Sequence, residues 1–311
     1  MSKYSFKLFG YFFFLLILIL VVYAFINHNT TEVSKISRIT YKQFVYFSGL
    51  IFFVHVLSGL RIYLFAKIFD VHLKLSESFG LAVTSIMYNY LPLQGGLASR
   101  GIYLKKIHNL TYSNFLATLS GSIVLNILGI GGLGIFALGW AYVEYNYFNY
   151  TICFMYILLI LFSIFCMCLK IKEKKIDFIL LKPFYRVLDG WKTIRSKSNV
   201  FLTIIVLEHL FILLMALRLL YSFSIFHHEI AFPFCLMIAT FSMLSNFISF
   251  VPGALGIREA VVGAISGWLE VGMVAGVVAA SMDRIMSIIW VFFWGSIFTF
   301  VFLSKTKRRV G

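Results

Sequence analysis

Arginine, glycine, proline and asparagine recur together at two places in this chain, in a combination suited to seating an anion. Gly95-Gly96-Leu97-Ala98-Ser99-Arg100 shares its spacing of glycine, small residue, leucine and arginine with Gly253-Ala254-Leu255-Gly256-Ile257-Arg258. An asparagine and a proline accompany each copy: Asn89 and Pro92 precede the first, Asn246 and Pro252 the second. A guanidinium grips phosphate through two parallel N–H donors, and a glycine step lets backbone N–H groups at a helix start approach the same ligand. The chemistry predicted is recognition of a phosphate-bearing group.

A third arginine, Arg284, stands 26 positions after Arg258, beside Asp283, and Glu259 directly follows Arg258. An arginine at membrane depth costs roughly 2.5–3.5 kcal/mol unless it finds a partner or water, so each needs an explanation. Neighbours in sequence point in different directions on a helix, which leaves two choices for each arginine: a phosphate, or a carboxylate from another helix. Glu208-His209, with Arg218 ten residues on, reads either as a proton relay or, more commonly for such a pair, as an interhelical hydrogen bond. Arg61 and Lys67 read as snorkelling towards the interface, and His55 as a structural residue. Asn89, Asn246 and Ser245 are placed to cap backbone groups freed at the breaks.

The remaining polar chemistry is sparse. Gly129-Ile130-Gly131-Gly132-Leu133-Gly134 lies mid-span without a preceding strand, so close helix packing explains it better than nucleotide binding. Cys153, Cys166, Cys168 and Cys235 lie in apolar stretches and read as small hydrophobes. No Ser/His/Asp set, His-Glu-x-x-His or Cys/His cluster has workable spacing. The expectation is a protein that is not an enzyme, with no catalytic residue, no cofactor and no metal.

These residues must be positioned by membrane helices. A chain of 311 residues that is 61% hydrophobic, 18% aromatic and 13% charged cannot be an ordinary soluble globule. Apolar windows predict helices near 8–26, 44–66, 76–92, 113–141, 150–170, 200–224, 231–251 and 273–303, about eight spans by length. Stretches 95–107 and 254–270, just after the breaks, are too short or glycine-rich for full crossings and read as re-entrant. The run 8–26 is too long for a signal peptide's apolar core and no small-residue cleavage site follows, so it reads as an uncleaved first span. The fold class expected is all-α: a polytopic bundle with two pseudo-repeated broken or re-entrant elements, forming one domain over 1–311. Its halves, about 1–169 and 199–311, are joined by the basic loop 170–198.

That loop holds nine Lys or Arg, and the tail carries Lys305, Lys307, Arg308 and Arg309, whereas the loops around Glu144 and around His227-His228-Glu229 have neither. Positive loops stay inside, so both termini are expected in the cytoplasm of a cell inner (plasma) membrane. Within the loop, Phe178 to Ile194 reads as a solvated basic linker that fixes topology, the alternative being an amphipathic surface helix. The net charge of +15 suits anionic membrane lipids rather than nucleic acid.

The second copy, Asn246 through Pro252-Gly253-Ala254-Leu255-Gly256-Ile257-Arg258-Glu259 with Asp283-Arg284-Ile285 about 25 residues later, closely resembles the lysylphosphatidylglycerol synthase transmembrane region, also called the flippase-like domain family. The first copy departs from it, carrying Leu97-Ala98-Ser99 where members often have a glycine followed by an acidic residue. The resemblance spans almost the whole chain. It implies a module that moves aminoacylated phospholipid between leaflets, or handles polyprenol- or dolichol-linked glycolipids. With the chain ending at Gly311, the aminoacyltransferase domain of full-length synthases is not expected, and lipid aminoacylation is not assigned.

The function expected is a flippase-like translocase for an anionic, aminoacylated or polyprenol-linked lipid, its headgroup held in a central polar cavity. Arg100, Arg258 and Arg284 would bind phosphate; Glu259, Asp283 and Glu208 would position them or meet a cationic headgroup; Gly95, Gly96, Pro252, Gly253, Gly256, Asn89 and Asn246 would shape the site. The expected partners are phospholipid or a lipid-linked headgroup and anionic lipids, with a second copy of the chain or a transferase as protein partner. The alternatives are a non-transporting accessory protein that binds a lipid carrier in glycolipid or cell-envelope synthesis, and an intramembrane transferase.

Overall fold

The computed structural model describes residues 40–90, 95–168, 191–248 and 252–310. The first span expected at 8–26 and most of the basic loop, including stretch 178–190, lie outside them. Among the described residues every regular element is a helix. In chain order these are α1 (Tyr41–Ile68), α2 (Leu75–Asn89), α3 (Gly95–His108), α4 (Tyr112–Tyr145), α5 (Tyr150–Cys168), α6 (Ser198–Ile225), α7 (Phe232–Ile248), α8 (Ile257–Trp268) and α9 (Met273–Val310). A short helical run over 191–196 precedes α6, and a 3₁₀ turn at Pro252–Ala254 precedes α8.

Five of these helices, α1, α4, α5, α6 and α9, are long and apolar enough to cross a membrane. The other four fall short: at 1.5 Å per residue, the 15, 14, 17 and 12 residues of α2, α3, α7 and α8 give about 18–25 Å against a hydrocarbon core of about 30 Å. The long helices end where local chemistry stops them. Thr40 caps α1, its hydroxyl accepting from the Gln43 N–H while Gln43 accepts from the Thr40 N–H. Thr111 caps α4 by accepting from the Asn114 N–H at 3.2 Å, and Asn146 closes α4 in the left-handed conformation.

Lipid gives helices no hydrophobic reason to associate, so small residues and buried polar contacts hold them. The glycine-rich stretch of α4 serves this purpose: a Cβ at Gly134 would lie 2.2 Å from the Tyr156 ring of α5. The Tyr156 hydroxyl reaches on to Thr240 of α7 at 2.7 Å. Around it, Ile130, Ala137, Ile212, Leu236, Val262 and Ala279 join α4, α6, α7, α8 and α9 in one buried core.

Contacts at the helix ends sort them into two sets. At one end Asp70, just past α1, meets Lys197 before α6 at 2.9 Å. Glu77, in the first turn of α2, takes hydrogen bonds from Tyr103 and His108 at the end of α3 and lies 3.5 Å from Lys305 near the end of α9. At the other end Tyr145 and Tyr147 stack edge-on against Phe234 at the start of α7. The outer ends of α2 and α3 therefore share a level, so the pair is a hairpin that goes in and returns.

Candidate functional site

The second break is a sharp local departure from helix. Gly253, Ala254 and Gly256 take φ of 62°, 54° and 81°, a region that glycine enters at little cost. The unwound carbonyls find a donor inside the protein, as lipid demands. Both terminal nitrogens of Arg284 donate to it, one to the Gly253 carbonyl and one to that of Ala254 at 3.2 Å. The Arg284 Nε pairs with Glu259, whose other oxygen accepts from the Gly256 N–H at 2.9 Å. Arg284 thus acts as the internal solvent for the break.

Asp283 points the other way. Its carboxylate, fully buried, accepts from Arg218 Nε at 3.0 Å on one oxygen, which also lies 2.8 Å from Arg218 Nη2, and from Arg258 Nη2 at 2.8 Å on the other. Arg258 Nε donates to Ser242 of α7 at 3.0 Å, and Arg218 also reaches the Ser287 hydroxyl. The question left open by adjacency is answered by crossed pairs between helices: Arg258 with Asp283, and Arg284 with Glu259.

At the first break, Asn89 performs the capping expected of it, accepting from the freed Gly96 N–H at 3.2 Å. Gly96 is needed because a Cβ there would stand 1.9 Å from the Ser85 carbonyl oxygen of α2. Gly95 begins α3 beside the Tyr88 carbonyl. The two breaks meet, since a Cβ on Gly253 would lie 2.5 Å from the ring of Tyr90. Pro252 opens the 3₁₀ turn, and Asn246 is exposed near the end of α7.

A cavity of 150 Å³ lies among α1, α2, α3 and α4, with Ser58, Arg61, Asn89, Arg100 and Ser122 in its wall. Arg61 does not snorkel as the sequence suggested; it turns inward to Glu208 at 2.6 Å and lies 4.2 Å from the centre of the Phe211 ring. Glu208 is fully buried and also accepts from Asn126 at 3.0 Å and from Ser122 at 3.4 Å. His209 turns back to the Ile205 carbonyl at 2.8 Å, and Arg218 belongs to Asp283, so the Glu208, His209 and Arg218 relay is not assembled. Arg100 lies 5.5 Å over the Phe115 ring and, among the described residues, has no carboxylate or hydrogen-bond partner.

The expected residues therefore fall into two neighbouring clusters: Arg258, Asp283, Arg284 and Glu259 in the second half, Arg100 and Asn89 beside the Arg61–Glu208 pair in the first. Arg61, Arg218, Ser122, Asn126, Ser242 and Ser287 complete them and were not singled out as site residues. One signal was available. Arg61 and Arg218 are separated by the same 157 positions as Asn89 and Asn246.

No curated protein and no solved structure matches the chain. The model of one family, described as Lysylphosphatidylglycerol synthase TM region, matches residues 7–295. With the break, its arginine and the later Asp283-Arg284 pair all inside that match, the chain belongs to the Lysylphosphatidylglycerol synthase TM region family.

Proposed function

We propose that this chain is a lipid translocase of the inner (plasma) membrane, carrying an anionic, aminoacylated or polyprenol-linked lipid across the bilayer and catalysing no covalent reaction. The observation that carries the reading is the meeting of two broken hairpins, Tyr90 at the tip of one against Gly253 at the tip of the other. Irregular backbone at membrane depth is tolerated only inside protein or beside a water-filled cavity, and paired interruptions in two halves mark transporter substrate sites.

The halves correspond element by element as two repeats. Helices α1 to α4 match α6 to α9 in order, and α2 packs on α9 as α7 packs on α4. The basic end of the bundle, holding Lys197 and Lys305, is cytoplasmic by the positive-inside rule. On that assignment α2–α3 enters from the cytoplasm and α7–α8 from outside, so the repeats are inverted. The apolar window expected near 8–26 and the five long helices then make six crossings, and the two hairpins replace the remaining two of the eight expected spans. Six crossings return both termini to the cytoplasm.

Headgroup binding falls to Arg100, Arg258, Gly95, Gly96, Pro252, Gly253, Gly256, Asn89 and Asn246 in the two hairpins and to Arg284 of α9, with Glu208, Glu259 and Asp283 positioning the guanidinium groups. Rocking of one half on the other would expose the site alternately. The test is fluorescent-lipid translocation in liposomes holding the purified chain, read by quenching the outer leaflet. The reading expects translocation by the wild type and its loss in Arg100→Ala. Lipid binding without translocation in the wild type would overturn it and favour the accessory carrier-binding reading.

A further inference from the structure

The two half-sites are built from matching positions, yet they close differently. Arg61 and Arg218 are each the twenty-first residue of α1 and α6. Ser122 and Asp283 are each the eleventh residue of α4 and α9, and Asn126 and Ser287 each the fifteenth. The contacts support this register: Arg218 bonds Asp283 and Ser287, while Arg61 shares Glu208 with Ser122 and Asn126.

In the second half one carboxylate bridges both arginines, Asp283 holding Arg218 and Arg258 at 2.8 Å each. In the first half that position is Ser122, and the acid comes instead from α6. Glu208 meets Arg61 but is not among the residues lining the cavity, and Arg100 faces that space with no carboxylate partner among the described residues. A cation unpaired inside a membrane bundle is costly and marks a functional site.

We propose that the first half-site alone is the phosphate seat, with Arg100 as the anchoring cation and Asn89 and Ser122 beside it, while the second is a self-neutralised structural lock. This rests on the two-repeat translocase reading and narrows it, removing Arg258 and Arg284 from direct headgroup contact. A cavity of about 150 Å³ holds a ring the size of benzene, enough for a phosphate group with its ester oxygens. On its far side Arg100 also borders a second cavity of 270 Å³, where Leu81, Ile102, Phe302 and Leu303 share the wall with Thr84 and Lys106. An anionic group beside apolar walls suits a phosphodiester lipid better than free phosphate.

The test is binding by the purified full chain in detergent, titrated with short-chain phosphatidylglycerol, with inorganic phosphate, and with uncharged diacylglycerol of the same chain length. Ser122→Asp rebuilds in the first half the carboxylate found in the second. It should weaken phosphatidylglycerol binding about ten- to a hundredfold, the loss expected of charge-assisted contacts, and by more than Ser122→Asn, which alters the same position of the wall without adding a charge. Arg100→Gln, which adds no charge, should lose binding to a similar extent and covers the case in which Ser122→Asp fails to fold. Diacylglycerol should not bind. Inorganic phosphate binding as tightly as the lipid would keep the seat but assign it to free phosphate. Unchanged lipid binding in Arg100→Gln, or equal losses in Ser122→Asn and Ser122→Asp, would overturn the proposal. If the wild type fails to translocate lipid but these binding differences hold, the translocase reading falls and the seat stands.

Discussion

Asp283→Asn should destabilise this protein more than any other single change of a polar group described here. Asp283 is fully buried, accepts one hydrogen bond from each of two guanidinium groups, at 3.0 and 2.8 Å, and lies 2.8 Å from a second nitrogen of Arg218. Each hydrogen bond to a charged group is worth roughly 1.5–3 kcal/mol, but bonds sharing one acceptor do not add. The larger effect is that Arg218 and Arg258 lose their common counter-charge while remaining inside the bundle. Removing one partner of a buried pair costs about 3–5 kcal/mol. At roughly 2 °C per kcal/mol for a chain of this size, Tm should fall by about 6–10 °C. Thermal unfolding of purified variants in one detergent measures it. A double-mutant cycle with Arg258→Gln should return a coupling of about 1.5–3 kcal/mol, because the second change removes one of the orphaned charges. A variant that melts within about 1 °C of wild type, or a cycle that closes to zero, would refute the claim that this carboxylate ties α6, α8 and α9 together.

Three further outcomes follow from the same geometry. Glu208→Gln removes the counter-charge of Arg61, which is 18% exposed and so partly relieved by its surroundings; the same melting assay should show about 1–3 kcal/mol lost, less than for Asp283→Asn. Gly253→Ala meets both a positive φ and the Tyr90 ring and should cost about 2–4 kcal/mol, whereas Gly256→Ala, with positive φ but open space around it, should cost only about 1–2 kcal/mol; equal effects would contradict the contact between the hairpin tips. Arg284→Lys keeps the charge but loses the planar fork that holds two carbonyls and Glu259 together, so it should lower Tm by several degrees.

How much of this was legible in the sequence depends on the range of the interaction. Helix positions were, because hydropathy is a local average: the window 113–141 became Tyr112–Tyr145, and 200–224 became Ser198–Ile225. The second break was legible because Pro252, Gly253 and Gly256 act on their own backbone, and the role of Asn89 because a cap reaches only a few residues. Pairing was not. Arg61 and Glu208 are 147 positions apart, and nothing near either residue announces the other. Arg61 was read as snorkelling, but the direction of a side chain around the helix axis is fixed only by what packs there. The inequality of the two arginines also needed coordinates, since Arg100 and Arg258 end motifs of the same spacing while Asp283, which Arg258 reaches and Arg100 does not, lies elsewhere.

The central claim is that the two broken hairpins enter the bilayer from opposite faces, and cysteine labelling tests it most directly. In a background with the four native cysteines replaced by serine, His72→Cys and Asn109→Cys flank the first hairpin, and His228→Cys and Glu270→Cys flank the second. The account predicts that a membrane-impermeant thiol reagent applied to intact cells labels the last two and reaches the first two only after the membrane is opened. Labelling of the 72 and 109 positions from opposite sides would mean that α2 and α3 together cross the membrane, contradicting the hairpin and the inverted repeat built on it.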